Sequence, residues 1–201
     1  MKIGLIGAGR LGLCLALLMD KAGYSVIASD VREDYINGLQ IGEVTTTEPL
    51  VGQYLDSARR IEFTTDNLRV IEESDIIFTL VLTPSLENGS YDVSNVDDVV
   101  SDILKYGWDK DLSNKSLVIG CTTNPGDCDF FQDRLSETGI SVFYNPEFIA
   151  QGSIIKDLQN ADMVLLGGDG KHKGNLVNIY KKIQYGYKAV SYTHLRAHET
   201  F

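Results

Sequence analysis

Residues 2–16 read KIGLIGAGRLGLCLA, and the fold hangs on how that stretch divides. "KIGLIG" (2–7) is a short apolar run of the kind a strand makes. "RLGLCLALLMDKAG" (10–23) carries apolar residues at helical spacing and ends on Gly23, where a helix C′ glycine belongs. Between the two, Gly7, Gly9 and Gly12 spell GxGxxG. Alone that spacing is weak evidence. Here it follows a strand and opens a helix, which is the context it requires. Gly7 permits the tight turn, Gly9 lets the backbone approach a pyrophosphate, and Gly12 lets helix and strand pack closely. The helix N-terminus then offers unpaired N–H groups and the positive end of its dipole to phosphates.

The same alternation runs down the chain. Further strand candidates are "SVIAS" (25–29), "RIEF" (60–63), "DIIFTLVL" (75–82), "SLVIGC" (116–121), "SVFY" (141–144) and "MVLLGG" (163–168). Several are apolar throughout, as expected of strands covered on both faces. Helix candidates lie between them, at 32–40, 48–58, 67–74, 94–107, 127–139 and 173–184, with Gly107 and Gly139 at C′ positions like Gly23. Strand–helix alternation at this spacing predicts βαβ units around a parallel sheet. The expected class is α/β: a doubly wound, mostly parallel sheet with helices on both faces.

In such sheets ligands bind outside the carboxyl ends of the strands, so the residues just past each strand are the candidate site. Asp30 follows the second strand, about 20 residues beyond the glycines, where an acid accepts hydrogen bonds from the adenosine ribose hydroxyls. It would repel a 2′-phosphate, which favours NAD over NADP; Arg32, two residues on, weakens that preference. Asp30 is also placed to cap the helix predicted at 32–40. Thr83 and Pro84 lie past the fourth strand. Thr122 and Thr123 lie past the fifth as uncharged hydroxyls, and Gly126 allows close approach of a ligand. "YNPEFIAQG" (144–152) follows the sixth strand. Pro146 fixes its own φ and biases Asn145 away from helix, which holds Glu147 at a rigid turn. The residues alone leave Glu147 open between a solvated loop charge and a carboxylate aimed at a ligand.

Composition narrows the partners. The chain has 201 residues, 43% hydrophobic and 23% charged, with a net charge of −10. That balance speaks against nucleic acid or an anionic membrane as partner. Its three cysteines, Cys14, Cys121 and Cys128, form no CxxC pair and suit reduced thiols better than a disulfide framework. "MKIGLIGAG" is too short for a signal-peptide core, and no apolar run reaches the length of a membrane span. A cytoplasmic protein is expected. Residues 185–201 show no clean period, and 191–201, "SYTHLRAHETF", resemble translated sequencing-adapter read-through; an ordinary polar tail is the alternative. Fold reasoning therefore stops at 184. His194 and His198 have an i, i+4 spacing that can bind metal on a helix, but no third ligand accompanies them, and no metal is expected.

Together these pieces form one ordered set that resembles the NAD-binding N-terminal domain of the UDP-glucose/GDP-mannose dehydrogenase family, with a Rossmann-type fold. The matching stretches are "KIGLIGAGRLGLCLA", Asp30, "TTTEPLVGQYL", "IEFTTD", "SDIIFTLVLTPS", "GSYDVSNV", "GCTTNPG" and "YNPEFIAQGSIIKDLQNADMVLLGG". They run in family order over residues 1–184, and the last is the most specific. The resemblance implies NAD as cofactor, with Gly7, Gly9, Gly12, Asp30, Thr83, Pro84 and Thr122 on its side. It places Thr122 and Glu147 in the catalytic neighbourhood, positioning a water and assisting proton transfer, so Glu147 is expected to face the reacting centre with a raised pKa. The implied reaction oxidises the primary alcohol of a sugar nucleotide to a carboxylate with two NAD, through a cysteine-bound thiohemiacetal and thioester.

The departures are as informative. Gln151 stands where many members have an acid, and Ala150 where many have an arginine; Gln151 cannot serve as a base. The family's nucleophilic cysteine, its catalytic lysine and asparagine, its central helix and its sugar-nucleotide domain are expected beyond residue 201. The full-length protein would be a homodimer taking a nucleotide sugar through that second domain. Cys14 reads as core; Cys128, in a helix's first turn, is a candidate reactive thiol. A hydroxyacid- or phosphogluconate-type dehydrogenase would explain the glycines and Asp30 but not "YNPEFIAQG"; a non-catalytic NAD-binding protein is the other alternative.

Overall fold

A computed structural model describes residues 1–149, 152–186 and 189–192. Its strands are β1 (Lys2–Ile6), β2 (Ser25–Ser29), β3 (Ile61–Thr64), β4 (Ile76–Thr79), β5 (Ser116–Ile119), β6 (Ser141–Tyr144), β7 (Val164–Gly167) and β8 (Ala189–Tyr192). They form one sheet in the order β3-β2-β1-β4-β5-β6-β7-β8. Every neighbouring pair is parallel except β6–β7, which meet antiparallel at Tyr144 and Gly167. The order reverses between β1 and β4. A doubly wound sheet opens a crevice at that switch point.

The helices are α1 (Arg10–Lys21), α2 (Glu33–Gln40), α3 (Val51–Ser57), α4 (Asn67–Glu73), α5 (Ser94–Tyr106), α6 (Asp127–Leu135), α7 (Ile154–Gln159) and α8 (Lys173–Ile183). They cover both faces because side chains alternate along each strand. Ile3, Leu5, Val26, Ala28, Ile76, Phe78, Val118 and Phe143 turn to one face, where α1, α2, α3, α7 and α8 close the core. Ile27, Ile77, Leu117, Ile119, Val142 and Tyr144 turn to the other, against α4, α5 and α6. α1 is buried along nearly its whole length, from Gly12 to Asp20.

Several expectations need correction. β4 stops at Thr79 instead of Leu82: the Leu80 amide still donates to Ile6 O at 2.8 Å, but the chain then leaves the sheet, with Leu82 exposed. The predicted helix 48–58 starts only at Val51, because Leu50 sits in the left-handed region at φ 70°. The helix predicted over 127–139 turns into a 3-10 turn at Ser136–Thr138 before Gly139, at φ 77°. Gly107 is not a left-handed cap; its φ is −85°, and the absence of a side chain there makes room for Leu112 instead. α7 was not expected at all. Nor was β8, which pairs with β7 inside the stretch set aside as an irregular tail; backbone pairing alone can extend a sheet where side-chain periodicity is unreadable. Gln151, Ala150, His194 and His198 lie outside the described residues.

Candidate functional site

The first βα turn is built by its glycines. A Cβ on Gly7 would stand 2.6 Å from Leu80 O, and one on Gly12 would stand 2.1 Å from Gly7 O. The chain leaving β4 and the helix α1 can close on this turn only if both positions lack side chains. Gly7 also takes φ 98°. Gly9 is different: a Cβ there would meet nothing within 4 Å, so its backbone faces open space. Gly9 is the N-cap of α1 and gives its first turn no side-chain cap. That first turn also carries no acid. Amide donors beside an open, uncapped helix start fit a pyrophosphate.

Asp30 follows β2 and is 9% exposed. Arg32 grips it: Nε donates to Oδ1 at 2.8 Å, a terminal guanidinium nitrogen to Oδ2 at 2.8 Å, and the Arg32 amide to Oδ1 at 3.1 Å. Burial pushes the Asp30 carboxyl up, but these bonds and the charge of Arg32 outweigh it and hold the carboxyl below the usual range. Arg32, not Asp30, occupies the N-cap of α2. The guanidinium lies 4.1 Å over the Tyr35 ring, and the Tyr35 hydroxyl donates to Ala8 O at 2.9 Å. Asp30, Arg32 and the glycine turn are thus tied into one unit. A carboxylate has roughly four acceptor positions. Arg32 occupies three, which leaves the free side on Oδ2.

The remaining candidates stand at the carboxyl ends of neighbouring strands. Thr83 is half-buried and Pro84 exposed, past β4. Thr122 is exposed past β5, whereas Thr123 is turned inward at 4% exposure against Cys128. Gly126 takes φ 92° and opens α6. Burial drives the Cys14, Cys121 and Cys128 thiols up to about 12 each. Cys128 is 4% exposed, and burial opposes the thiolate that its place in the first turn of a helix would favour.

Glu147 follows β6. The residue is half-buried, but its carboxyl is enclosed: Oε1 lies 2.8 Å from the hydroxyl of Tyr180, which is 1% exposed. Burial pushes the Glu147 carboxyl up to about 7, although the Tyr180 hydrogen bond acts against the rise. Asn145 braces the turn, its amide donating to Ile119 O at 2.8 Å and Nδ2 to Leu165 O at 2.9 Å. Its Oδ1 also accepts from Tyr180. The segment beyond is held from far away in sequence. Glu48, 4% exposed, accepts from the Gly152 amide at 2.7 Å and the Ile154 amide at 3.2 Å, at the start of α7.

Strand polarity, not pocket shape, brings these groups to one end of the molecule. A shallow cavity of about 520 Å³ bordered by Met1, Tyr24, Asp75 and His172 opens at the opposite, amino end of the sheet. Sequence reading missed Tyr180 and the bracing role of Glu48. Tyr180 shares the helical spacing of Leu176, Ile179 and Ile183 and reads as core. Its one signal was a buried phenol, which needs a hydrogen-bond partner. Glu48 was absorbed into a helix that starts three residues later.

Residues 1–184 match the NAD binding domain of the UDP-glucose/GDP-mannose dehydrogenase family, and the chain belongs to that family. It is 28% identical over 211 residues to the UDP-glucose 6-dehydrogenase of Rhizobium meliloti, across 99% of this chain and 47% of that protein. It is 31% identical to the UDP-glucose 6-dehydrogenase of Rickettsia prowazekii, across 88% of this chain and 41% of that protein. The crystal structure of a ternary complex of GDP-mannose dehydrogenase from Pseudomonas aeruginosa superposes with a TM-score of 0.84 at 26% identity, over 98% of this chain and 47% of that one. The chain spans about half the length of the curated relatives it matches.

Proposed function

We propose, on the premise of that membership, that this chain is the NAD-binding part of a nucleotide-sugar dehydrogenase. The full-length protein would oxidise the 6-hydroxymethyl group of a UDP-sugar, UDP-glucose being favoured, to a carboxylate with two NAD. It would act in the cytoplasm as a homodimer. NAD, when bound, accepts hydride from the carbon being oxidised. The observation that carries the reading is Glu147: its carboxyl, held against the buried Tyr180 hydroxyl, stands at the same sheet end as the glycine turn. A solvated loop charge would have no reason to be enclosed.

Each residue then has a task. Gly7 and Gly12 let the first turn close, and Gly9 and the α1 amides hold the pyrophosphate. Asp30 takes a ribose hydroxyl on the side that Arg32 leaves open. Thr83, Pro84 and Thr122 border the nicotinamide half. Thr122 positions a water, and Glu147 takes and returns a proton; a carboxyl that titrates near 7 does both at little cost near neutral pH. The chain on its own should bind NAD and oxidise nothing. Burial disfavours the thiolate form of each of its three cysteines, the form that would trap an aldehyde. Without a second half to hold the sugar, about 7–11 kcal/mol of positioning advantage is lost.

The test is a calorimetric NAD titration of the 201-residue chain, beside an NADH absorbance assay with UDP-glucose, UDP-N-acetylmannosamine and GDP-mannose. Binding without turnover is expected. Folded protein that binds no NAD would sink the cofactor half of the reading, and steady NADH production would sink the division of labour.

A further inference from the structure

Three side chains behind the β6 turn share a single phenol proton. Asn145 is oriented by its Nδ2, which donates to Leu165 O at 2.9 Å. Its Oδ1 is therefore the atom facing Tyr180, and it can only accept. The Tyr180 hydroxyl donates to it. The same hydroxyl lies 2.8 Å from Glu147 Oε1. One O–H cannot serve two acceptors in full, and two arrangements resolve the conflict. With Glu147 neutral, the carboxyl O–H donates to Tyr180 and Tyr180 donates to Asn145. With Glu147 ionised, the phenol proton turns to the carboxylate and Asn145 Oδ1 loses its donor.

We propose that Tyr180 is the positioning residue of Glu147, its one hydroxyl proton pointing to Asn145 while Glu147 is neutral and to Glu147 once that carboxyl ionises. Among the described residues, Tyr180 on α8 is the titratable group that faces Glu147, and Asn145 faces the same hydroxyl as a neutral amide. Tyr180 keeps its own proton throughout, because burial and then the negative charge of Glu147 push its ionisation well above the ordinary range. The carboxyl thus stays tethered in both protonation states. A group that takes and returns a proton needs this, since a carboxyl that swings away on ionising loses its geometry. The catalytic meaning rests on the proposed role of Glu147; the proton rearrangement does not.

The experiment is a pH titration by NMR of the 201-residue chain carrying ¹³C-labelled Glu and Tyr. The Glu147 carboxyl is the signal absent from Glu147→Gln, and Tyr180 is assigned through its backbone. In the unaltered chain the Tyr180 Cζ resonance should move with the same midpoint as the Glu147 carboxyl, and Glu147→Gln should abolish that movement. Tyr180→Phe keeps the ring and removes the donor. It should raise the Glu147 midpoint by about one pH unit or more, the worth of a hydrogen bond to a charged group. A filler of the core would lower stability in that variant without moving the midpoint. A Tyr180 resonance that stays flat through the Glu147 titration overturns the proposal, as does an unmoved midpoint in Tyr180→Phe. If that variant does not fold, the unaltered chain decides. NAD calorimetry on the same samples separates the two readings: a chain that binds no NAD loses the functional proposal while the proton switch stands or falls by itself.

Discussion

Asp30 and Glu147 are both acids past strand ends, yet their surroundings drive them in opposite directions. At Asp30, Arg32 outweighs burial; at Glu147, burial outweighs Tyr180. Asp30→Ala should weaken NAD binding roughly ten- to hundredfold, the worth of a hydrogen bond to a charged group. NADP should lose less, because the freed Arg32 can meet its 2′-phosphate. Arg32→Ala should do the reverse and widen the NAD-to-NADP ratio by about tenfold. Calorimetry with both cofactors reads both changes, and equal NAD affinity in Asp30→Ala and parent would remove Asp30 from the site. Glu147 predicts a stability profile. Its carboxyl titrates near its ordinary 4.5 when unfolded and at about 7 when folded. Between those values the folded state binds the extra proton, so stability falls as pH rises from about 4.5 to 7 and levels off above. At about 1.4 kcal/mol per pH unit, the ceiling is about 3 kcal/mol. Glu147→Gln should flatten this slope in urea titrations at pH 5 and 8. The Asp30 effect lies in another window, below the ordinary carboxylate range, where its stabilisation is lost as pH falls. The raised carboxyl of Glu147 is expected only through the family resemblance, and the lowered one of Asp30 not at all, because local sequence shows only an acid beside a turn.

α7 is the element whose existence depends most on another. It has only six residues, too short to hold its own shape in water. Its start is fastened by Glu48, more than a hundred positions earlier, and its Ile154, Ile155 and Leu158 are buried against α1. The same anchor stands beside Leu50, whose left-handed φ is costly for a branched residue. Glu48→Gln should loosen the segment after Glu147 before it unfolds the domain. Hydrogen exchange at the Gly152 and Ile154 amides should quicken by about tenfold or more, the loss of a charge-assisted bond of about 1.5–3 kcal/mol, while the central strands stay protected. Uniform loss of protection would mean that Glu48 supports the whole fold and not this element. α1, by contrast, was readable residue by residue. Its glycine spacing, its apolar run and its end at Gly23 are local signals that agree with one another, and the structure needed only to show which glycine was required by packing and which faced open space.

Over the whole molecule, two cores share one sheet. Phe78 points into one and Ile77 into the other, both fully buried. Losing either side should therefore destabilise the same cooperative unit. Phe78→Ala should cost about 3–5 kcal/mol and Ile77→Ala about 2–5 kcal/mol, each lowering a single urea midpoint. Saturating NAD, at about a hundred times its dissociation constant, should raise the unfolding free energy by about 2.7 kcal/mol and move that midpoint upward. Two separate transitions would show that the faces fold independently. The sequence by itself determined the class of fold, the strand and helix order through residue 149, the glycine turn that opens α1 and the family. It could do so because those features rest on local periodicity, glycine geometry and short motifs, all of which are written in consecutive residues. Tertiary structure alone decided where β4 ends, that α7 and β8 exist, that Cys128 is buried, and that Tyr180 is the partner of Glu147. Each of these depends on partners brought from elsewhere: Leu80 against Gly7, Glu48 against Ile154, β8 against β7, Tyr180 against Glu147. Burial and hydrogen bonding between distant segments set both the ends of elements and the protonation of side chains, and a linear pattern carries neither until the chain has closed on itself.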